Sequence, residues 1–279
     1  MINKRKGDTK LKKIIAVLFT LVLAFALVSC GSQGGSSETT VLKVGASPSP
    51  HAEILEVVKD DLAKQGIELE IVEFDDYVLP NTSTEDGSID ANYFQHTPYL
   101  EDFNATRGTH LVSVAVIHYE PLGIYGGKSS SLDLADGAVI GVPNDTSNEA
   151  RALLLLEANG LITLDPGAGL NATVLDITSN PKNLKIEEIE AAQLTAHLSD
   201  LDLAVINGNY AVQGGLSAGD AIAIEDKDSE AANIYGNVLV VKEGNEKNPA
   251  ILALADALRS EEVRKFIEDN YAGTVVPKF

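Results

Sequence analysis

The sequence predicts an α/β protein, on three observations. Strand and helix patterns follow one another in two successive sets from Val41 to the C-terminus. Apolar residues make up 44% of the chain, enough for a proper core and too many for general disorder. The length of 279 residues suits one large domain or two lobes of about 100 to 150 residues each. The net charge of −20 argues against a nucleic-acid partner, because phosphates demand a basic face. One cysteine rules out a disulfide framework, a cysteine zinc site and an iron–sulfur cluster.

In the first set, Val41 to Gly45 reads as a short strand stopped by Ser47-Pro48-Ser49-Pro50. From His51 to Gln65, apolar residues at Ala52, Leu55, Val58, Leu62 and Ala63 give a helical stripe, ended by Gly66. Ile67 to Phe74 alternates apolar residues with Glu68, Glu70 and Glu73, as in a half-exposed strand. Ile89–Phe94, Leu111–Ile117 and Pro121–Tyr125 read as further strands. The second set begins after Lys128. Strands are expected at Ala138–Val142, Ile186–Ile189, Leu203–Ile206, Ala221–Ile224 and Asn237–Val241. Helices are expected at Asn148–Asn159, which Gly160 stops, at Ala191–Leu198 and over Pro249–Asp269. Repeated β–α units imply a mostly parallel sheet flanked by helices in each lobe.

The N-terminus reads as an address. Six basic residues within 1–13 precede an apolar run from Ile14 to Val28, short for a membrane span. The sole cysteine, Cys30, follows Leu27-Val28-Ser29, which resembles the lipobox of bacterial lipoproteins. That resemblance implies a signal peptide over 1–29, acyl chains on Cys30, and anchoring at the extracytoplasmic face of the cell membrane. Several acyl chains hold firmly, since each buried CH₂ contributes about 0.8 kcal/mol. Residues 30–40 are a polar Gly/Ser tether. Loss of 1–29 leaves 15 basic and 40 acidic residues, a net of −25.

Four blocks then become specific. They are Val44-Gly45-Ala46-Ser47-Pro48 with His51-Ala52-Glu53-Ile54-Leu55; Phe94-Gln95-His96-Thr97-Pro98-Tyr99-Leu100; Val142-Pro143-Asn144-Asp145 with Asn148-Glu149-Ala150-Arg151; and Ala204-Val205-Ile206-Asn207-Gly208-Asn209-Tyr210-Ala211. In this order they resemble the NlpA-type lipoproteins, methionine-binding subunits of ABC importers, along essentially the whole chain. The resemblance implies a two-lobed periplasmic-binding-protein (Venus-flytrap) fold that closes on its ligand. Lobe 1 is expected at 41–128 plus 233–279 and lobe 2 at 129–232. It implies no cofactor, no bound metal and no catalysis. The partners implied are methionine, an ABC permease and its separate ATPase.

A methionine zwitterion asks for three things. Its carboxylate wants a guanidinium fork. Of the four arginines after Cys30, Arg259 and Arg264 sit beside acids in the last helix, whereas Arg151 lies near a helix start that already favours an anion. Its ammonium wants acceptors. Asn207 leaves the C-terminal end of a buried strand, where α/β sheets hold ligands, and Asn148 could serve either the ligand or its own helix as N-cap. Asn209 and Tyr210 are second choices. The thioether wants a polarizable slot. By the family match, Phe94, His96 and Tyr99 supply it, with Tyr77 as a further aromatic, while Tyr93 and Phe103 are assigned to the core.

Other signals carry less. Gly215-Leu216-Ser217-Ala218-Gly219 fits a nucleophile elbow in letters, but a helix precedes it and a strand follows, the reverse of what the elbow needs. The histidines at 51, 96, 110, 118 and 197 show no zinc spacing. A phosphate-binding loop is absent from the sequence. Rival readings are a different apolar amino acid or a methionine-containing dipeptide in the same fold, an extracytoplasmic enzyme, and a surface adhesin or sensor.

Overall fold

The computed structural model describes residues 39–228 and 231–279; the signal, Cys30 and nearly all of the tether lie outside them. Thirteen strands are described. The first sheet holds β1 (Thr40–Ala46), β2 (Ile67–Glu73), β3 (Ala91–His96), β4 (Leu111–Tyr119), β12 (Gly236–Lys242) and β13 (Val276–Pro277), in the order β13-β4-β12-β3-β1-β2. The second holds β5 (Gly123–Gly126), β6 (Val139–Pro143), β9 (Lys185–Ile189), β10 (Leu203–Ile206) and β11 (Ala221–Ile224), in the order β11-β5-β10-β6-β9. β7 (Thr163–Leu164) and β8 (Ile177–Ser179) form a separate ribbon. Two sheets with two cores make the two-lobed α/β fold.

Each core follows from side-chain alternation. Along β10 every residue is buried, because Leu203 and Val205 face one cluster and Ala204 and Ile206 the other. Leu203 and Val205 join Leu153 and Leu156 of the helix Thr146–Ala158. In the first lobe, Leu42 and Val44 of β1 pack with Leu55 and Leu62 of the helix Glu53–Ala63, and with Leu254 and Ile267 near the C-terminus.

The sheets are mixed rather than mostly parallel. β1–β2, β1–β3, β6–β9 and β6–β10 are parallel, as a crossover helix requires. β12 instead enters antiparallel between β3 and β4, and β5 lies antiparallel to β10 and β11. These strands arrive from the other lobe or leave for it, so no local crossover sets their direction. The chain first passes between sheets over Glu120–Leu122, since β4 ends at Tyr119 in one and β5 opens at Gly123 in the other. It returns between Ile224 and Gly236.

Other boundaries also move. The expected helix over Pro249–Asp269 is two helices, Pro249–Leu258 and Glu261–Tyr271, because the Ser260 side chain accepts from Val263 N–H and caps the second. Asp145, not Asn148, is the N-cap of the helix Thr146–Ala158, accepting from Asn148 N–H. This leaves the Asn148 side chain free for other work. Gly215 and Ser217 lie in the turn between the helix Gly208–Gln213 and β11.

Candidate functional site

The ends of β3, β4, β10 and β12 and the helix Thr146–Ala158 meet at a small cavity. All seven ligand-binding residues expected from sequence line it: Tyr77, Phe94, His96 and Tyr99 from the first lobe, and Asn148, Arg151 and Asn207 from the second. Gln95, Glu120, Gly208, Asn209 and Asn237 line it as well. Asn209 stood second in the sequence reading; Glu120, Gln95 and Asn237 were missed.

On the first-lobe wall, Phe94 and His96 both reach the cavity from a fully buried strand whose pairing with β12 bulges at Phe94. His96 is also the N-cap of the helix Thr97–Arg107. Its Nδ1 accepts from Tyr99 N–H at 3.2 Å, which fixes the proton on Nε2. Nε2–H then donates to Asn148 Oδ1 at 3.0 Å, across the gap between lobes. Burial, with Arg151 nearby, pushes His96 down to about 3, so the ring is neutral. The rings of Tyr77 and Phe94 stand 5.7 Å apart, and those of Tyr77 and Tyr99 5.6 Å. Phe103 packs behind Tyr99 and does not line this cavity, and Tyr93 is wholly buried under the sheet, as expected of core residues.

The second-lobe wall is polar. Asn148 donates to both oxygens of Asp145, at 2.9 and 3.0 Å, and accepts from Asn207 Nδ2 at 2.8 Å. Asn209 Oδ1 accepts from Tyr77 O–H at 2.5 Å, another bond across the lobes. Two buried atoms on this wall have no partner in the described protein: the acceptor Asn207 Oδ1 and the donor Asn209 Nδ2. An unpaired buried polar atom is costly, so a pair of opposite type in one cavity marks a place for a ligand bearing both a donor and an acceptor.

Arg151 departs from expectation. Its fork is already engaged: Nε donates to Glu225 Oε1 at 2.9 Å and Nη2 to Glu225 Oε2 at 2.5 Å. Nη2 also donates to the Glu120 carbonyl at 2.8 Å, and the guanidinium stacks 4.2 Å from the Tyr235 ring centroid. Nη1 has no hydrogen-bond partner among the described residues, so a carboxylate in the cavity meets one nitrogen rather than the fork. Burial works against the Arg151 charge, but Glu225 more than offsets it and holds the guanidinium protonated. Burial likewise works against the Glu225 charge, and Arg151 outweighs it, keeping that carboxyl below its usual range.

Beneath the cavity, His51, His118 and Glu120 converge, with ligating atoms all within 4.8 Å of one another. His118 Nε2 stands 2.7 Å and His51 Nε2 3.3 Å from Glu120 Oε1. His51 Nε2 is also 3.0 Å from Asn237 Oδ1. Linear spacing could not show this group, since His51 follows β1 and the other two end β4. The pair His118 and Glu120, two apart at a strand end, was the one readable trace of it.

Three similarities bear on this site. The sequence pattern of the family described as NlpA lipoprotein matches residues 42–279. The chain is 43% identical to the membrane lipoprotein TpN32 of Treponema pallidum (strain Nichols), over 96% of this chain and 97% of that one. It is 42% identical to the D-methionine-binding lipoprotein MetQ of Escherichia coli (strain K12), over 95% and 97% respectively. Among solved structures, a nutrient binding protein from Burkholderia cenocepacia bound to methionine is similar, with 45% identity and a TM-score of 0.82, covering 85% of this chain and all of that one.

Proposed function

The chain belongs to the NlpA lipoprotein family, and from that premise we propose that it captures methionine outside the cytoplasm and delivers it to an ABC permease driven by a separate ATPase. It is a binding subunit and turns over no substrate. Cys30 carries the lipid that holds it to the membrane after residues 1–29 are removed; among the described residues no helix is long and apolar enough to cross a bilayer. In place of the expected lobes at 41–128 plus 233–279 and 129–232, the first division falls at Glu120–Leu122, since β5 pairs with β10 and β11 of the second sheet.

The observation that carries the reading is the contrast of the two walls. A free acceptor at Asn207, a free donor at Asn209 and the Arg151 Nη1 face a cavity whose other side is Tyr77, Phe94 and Tyr99. A zwitterionic head with a soft apolar tail satisfies both walls, and sulfur beside aromatic rings gains about 0.3–1.5 kcal/mol per contact.

Calorimetric titration with methionine, norleucine, glutamate and lysine tests it. Methionine should bind best, norleucine more weakly by about 0.3–1.5 kcal/mol, and the charged side chains hardly at all. Arg151→Ala should cost the methionine complex about 2–5 kcal/mol. Glutamate or lysine as the preferred ligand would sink the methionine assignment.

A further inference from the structure

Glu120 is a buried carboxylate that no lysine or arginine pairs with among the described residues. It is 5% exposed and lines the cavity floor. Its nearest basic neighbours are His51 and His118, and burial holds both neutral, at about 4 and about 3. The hydrogen bonding agrees for His118. The buried Tyr93 hydroxyl has only His118 Nδ1 to donate to among the described residues, which leaves His118 Nε2–H to donate to Glu120 Oε1. Arg151 is the next cation, and its charge is matched by Glu225. An ionised group buried without an opposite charge is unfavourable, so this one is built to meet a cation that arrives.

Two kinds of cation could answer, and the spacing favours one. Around a metal ion the three ligating atoms would stand apart at the corners of its coordination shell. Here the 2.7 Å separation of His118 Nε2 and Glu120 Oε1 is that of a direct hydrogen bond, which leaves no room for an ion between them. On the other side of the carboxylate the backbone makes way. A Cβ at Gly208 would stand 2.7 Å from Glu120 Cβ and 2.9 Å from Oε2, so glycine is what seats the carboxylate beside Asn207 and Asn209.

We propose that the Glu120 carboxylate, held between His51 and His118 at the cavity floor, receives the ligand's α-ammonium and makes a free amino group a condition of capture. The inference rests on the reading of the cavity as an amino-acid site and adds the group that selects the amine. Asn207 Oδ1 supplies a second, neutral acceptor from the second-lobe wall. Ligands with a blocked or missing amine leave Glu120 buried and unpaired, and are rejected by that penalty.

The test is a cycle of two ligands and two proteins. Wild type and Glu120→Gln are titrated with L-methionine and with 4-(methylthio)butanoate, which is methionine without its amine. Wild type should prefer methionine strongly, and Glu120→Gln should lose about tenfold or more of methionine affinity while holding the amine-free acid within about threefold. Equal losses on both ligands, or unchanged methionine affinity, would overturn the assignment. A wild type that binds neither ligand removes the amino-acid reading and this inference with it. Zn²⁺ that raises the melting temperature of wild type but not of Glu120→Gln would give the cluster to a metal instead. Should Glu120→Gln fail to fold, the wild-type complex decides: the methionine nitrogen within hydrogen-bond distance of a Glu120 oxygen supports the proposal, and a nitrogen placed elsewhere refutes it.

Discussion

Glu120 and Glu225 flank the same arginine, Glu120 buried and Glu225 largely so, and their carboxyls shift in opposite directions. Glu225 receives Nε and Nη2 of Arg151, the Tyr119 hydroxyl at 2.6 Å and the Leu122 N–H at 2.9 Å, and its carboxyl sits below the usual range. Glu120 faces two neutral imidazoles, and burial lifts its carboxyl above that range. Burial alone therefore says little about a carboxylate. The resident counter-charge decides, and where it is missing the site is waiting for one.

Acid should expose the contrast most strongly. His51, His96 and His118 are neutral in the fold but take up protons near 6.5 when unfolded. Each should cost about 1.4 kcal/mol of stability per pH unit below 6.5, down to about 4 for His51 and about 3 for the other two. Glu225, with its lowered pKa, adds stability above the ordinary carboxyl range that is lost as pH falls through its folded value. Glu120, with its raised pKa, acts the other way, since the folded state takes its proton first and regains stability as pH falls. Denaturant melts from pH 7 to 4 should show a steep decline; a flat profile would mean that the histidines are not held neutral.

At fixed pH, Glu225→Gln should be the most damaging change of the pair. It strands the Arg151 charge in the core, at a cost of about 3–5 kcal/mol. Tyr119→Phe removes one bond to a charged acceptor that keeps its other partners, and should cost about 1.5–3 kcal/mol by the same melts. Glu120→Gln in the empty protein should be smallest, and neutral or slightly stabilising, because it deletes a charge that nothing resident balances. A large loss there, comparable with Glu225→Gln, would break the comparison.

What could be read from sequence follows from how local each signal is. β10 and β11 were legible to the residue, because a fully apolar strand bounded by polar turns is written in consecutive letters. The helix Leu79–Asp86 was not, since its sequence LPNTSTED has no apolar stripe and its order comes from Asn81 and Thr84 bonding to Asn92 and Gln95 of β3. The same division runs through the site. Phe94, His96 and Tyr99 lie in one short block, Asn207 stands at a strand end and Arg151 in the second turn of a helix. Glu225, by contrast, opens the acidic run Glu225-Asp226-Lys227-Asp228, 74 residues from Arg151, and only the folding of β11 beside that helix reveals that it occupies the fork. The parallel-sheet expectation failed for the same reason, because β12 takes its direction from a lobe boundary that no neighbouring residue announces.

The Arg151 cluster has a mechanical meaning as well. Glu225 belongs to the returning segment, Tyr119 and Leu122 bracket the outgoing one, and Arg151 rides on a helix of the second lobe, so one ionic rivet fastens both straps to the same lobe. Away from it the lobes are joined by His96–Asn148, Tyr77–Asn209, the Tyr210 hydroxyl on the Asp75 carbonyl, and Gln213 on the Ser49 carbonyl, neutral hydrogen bonds of modest strength. A clamshell riveted on one side and only buttoned on the other has a fixed way to part. The neutral bonds break more readily than the ionic cluster, so the lobes part most easily on the aromatic side, about an axle at Arg151.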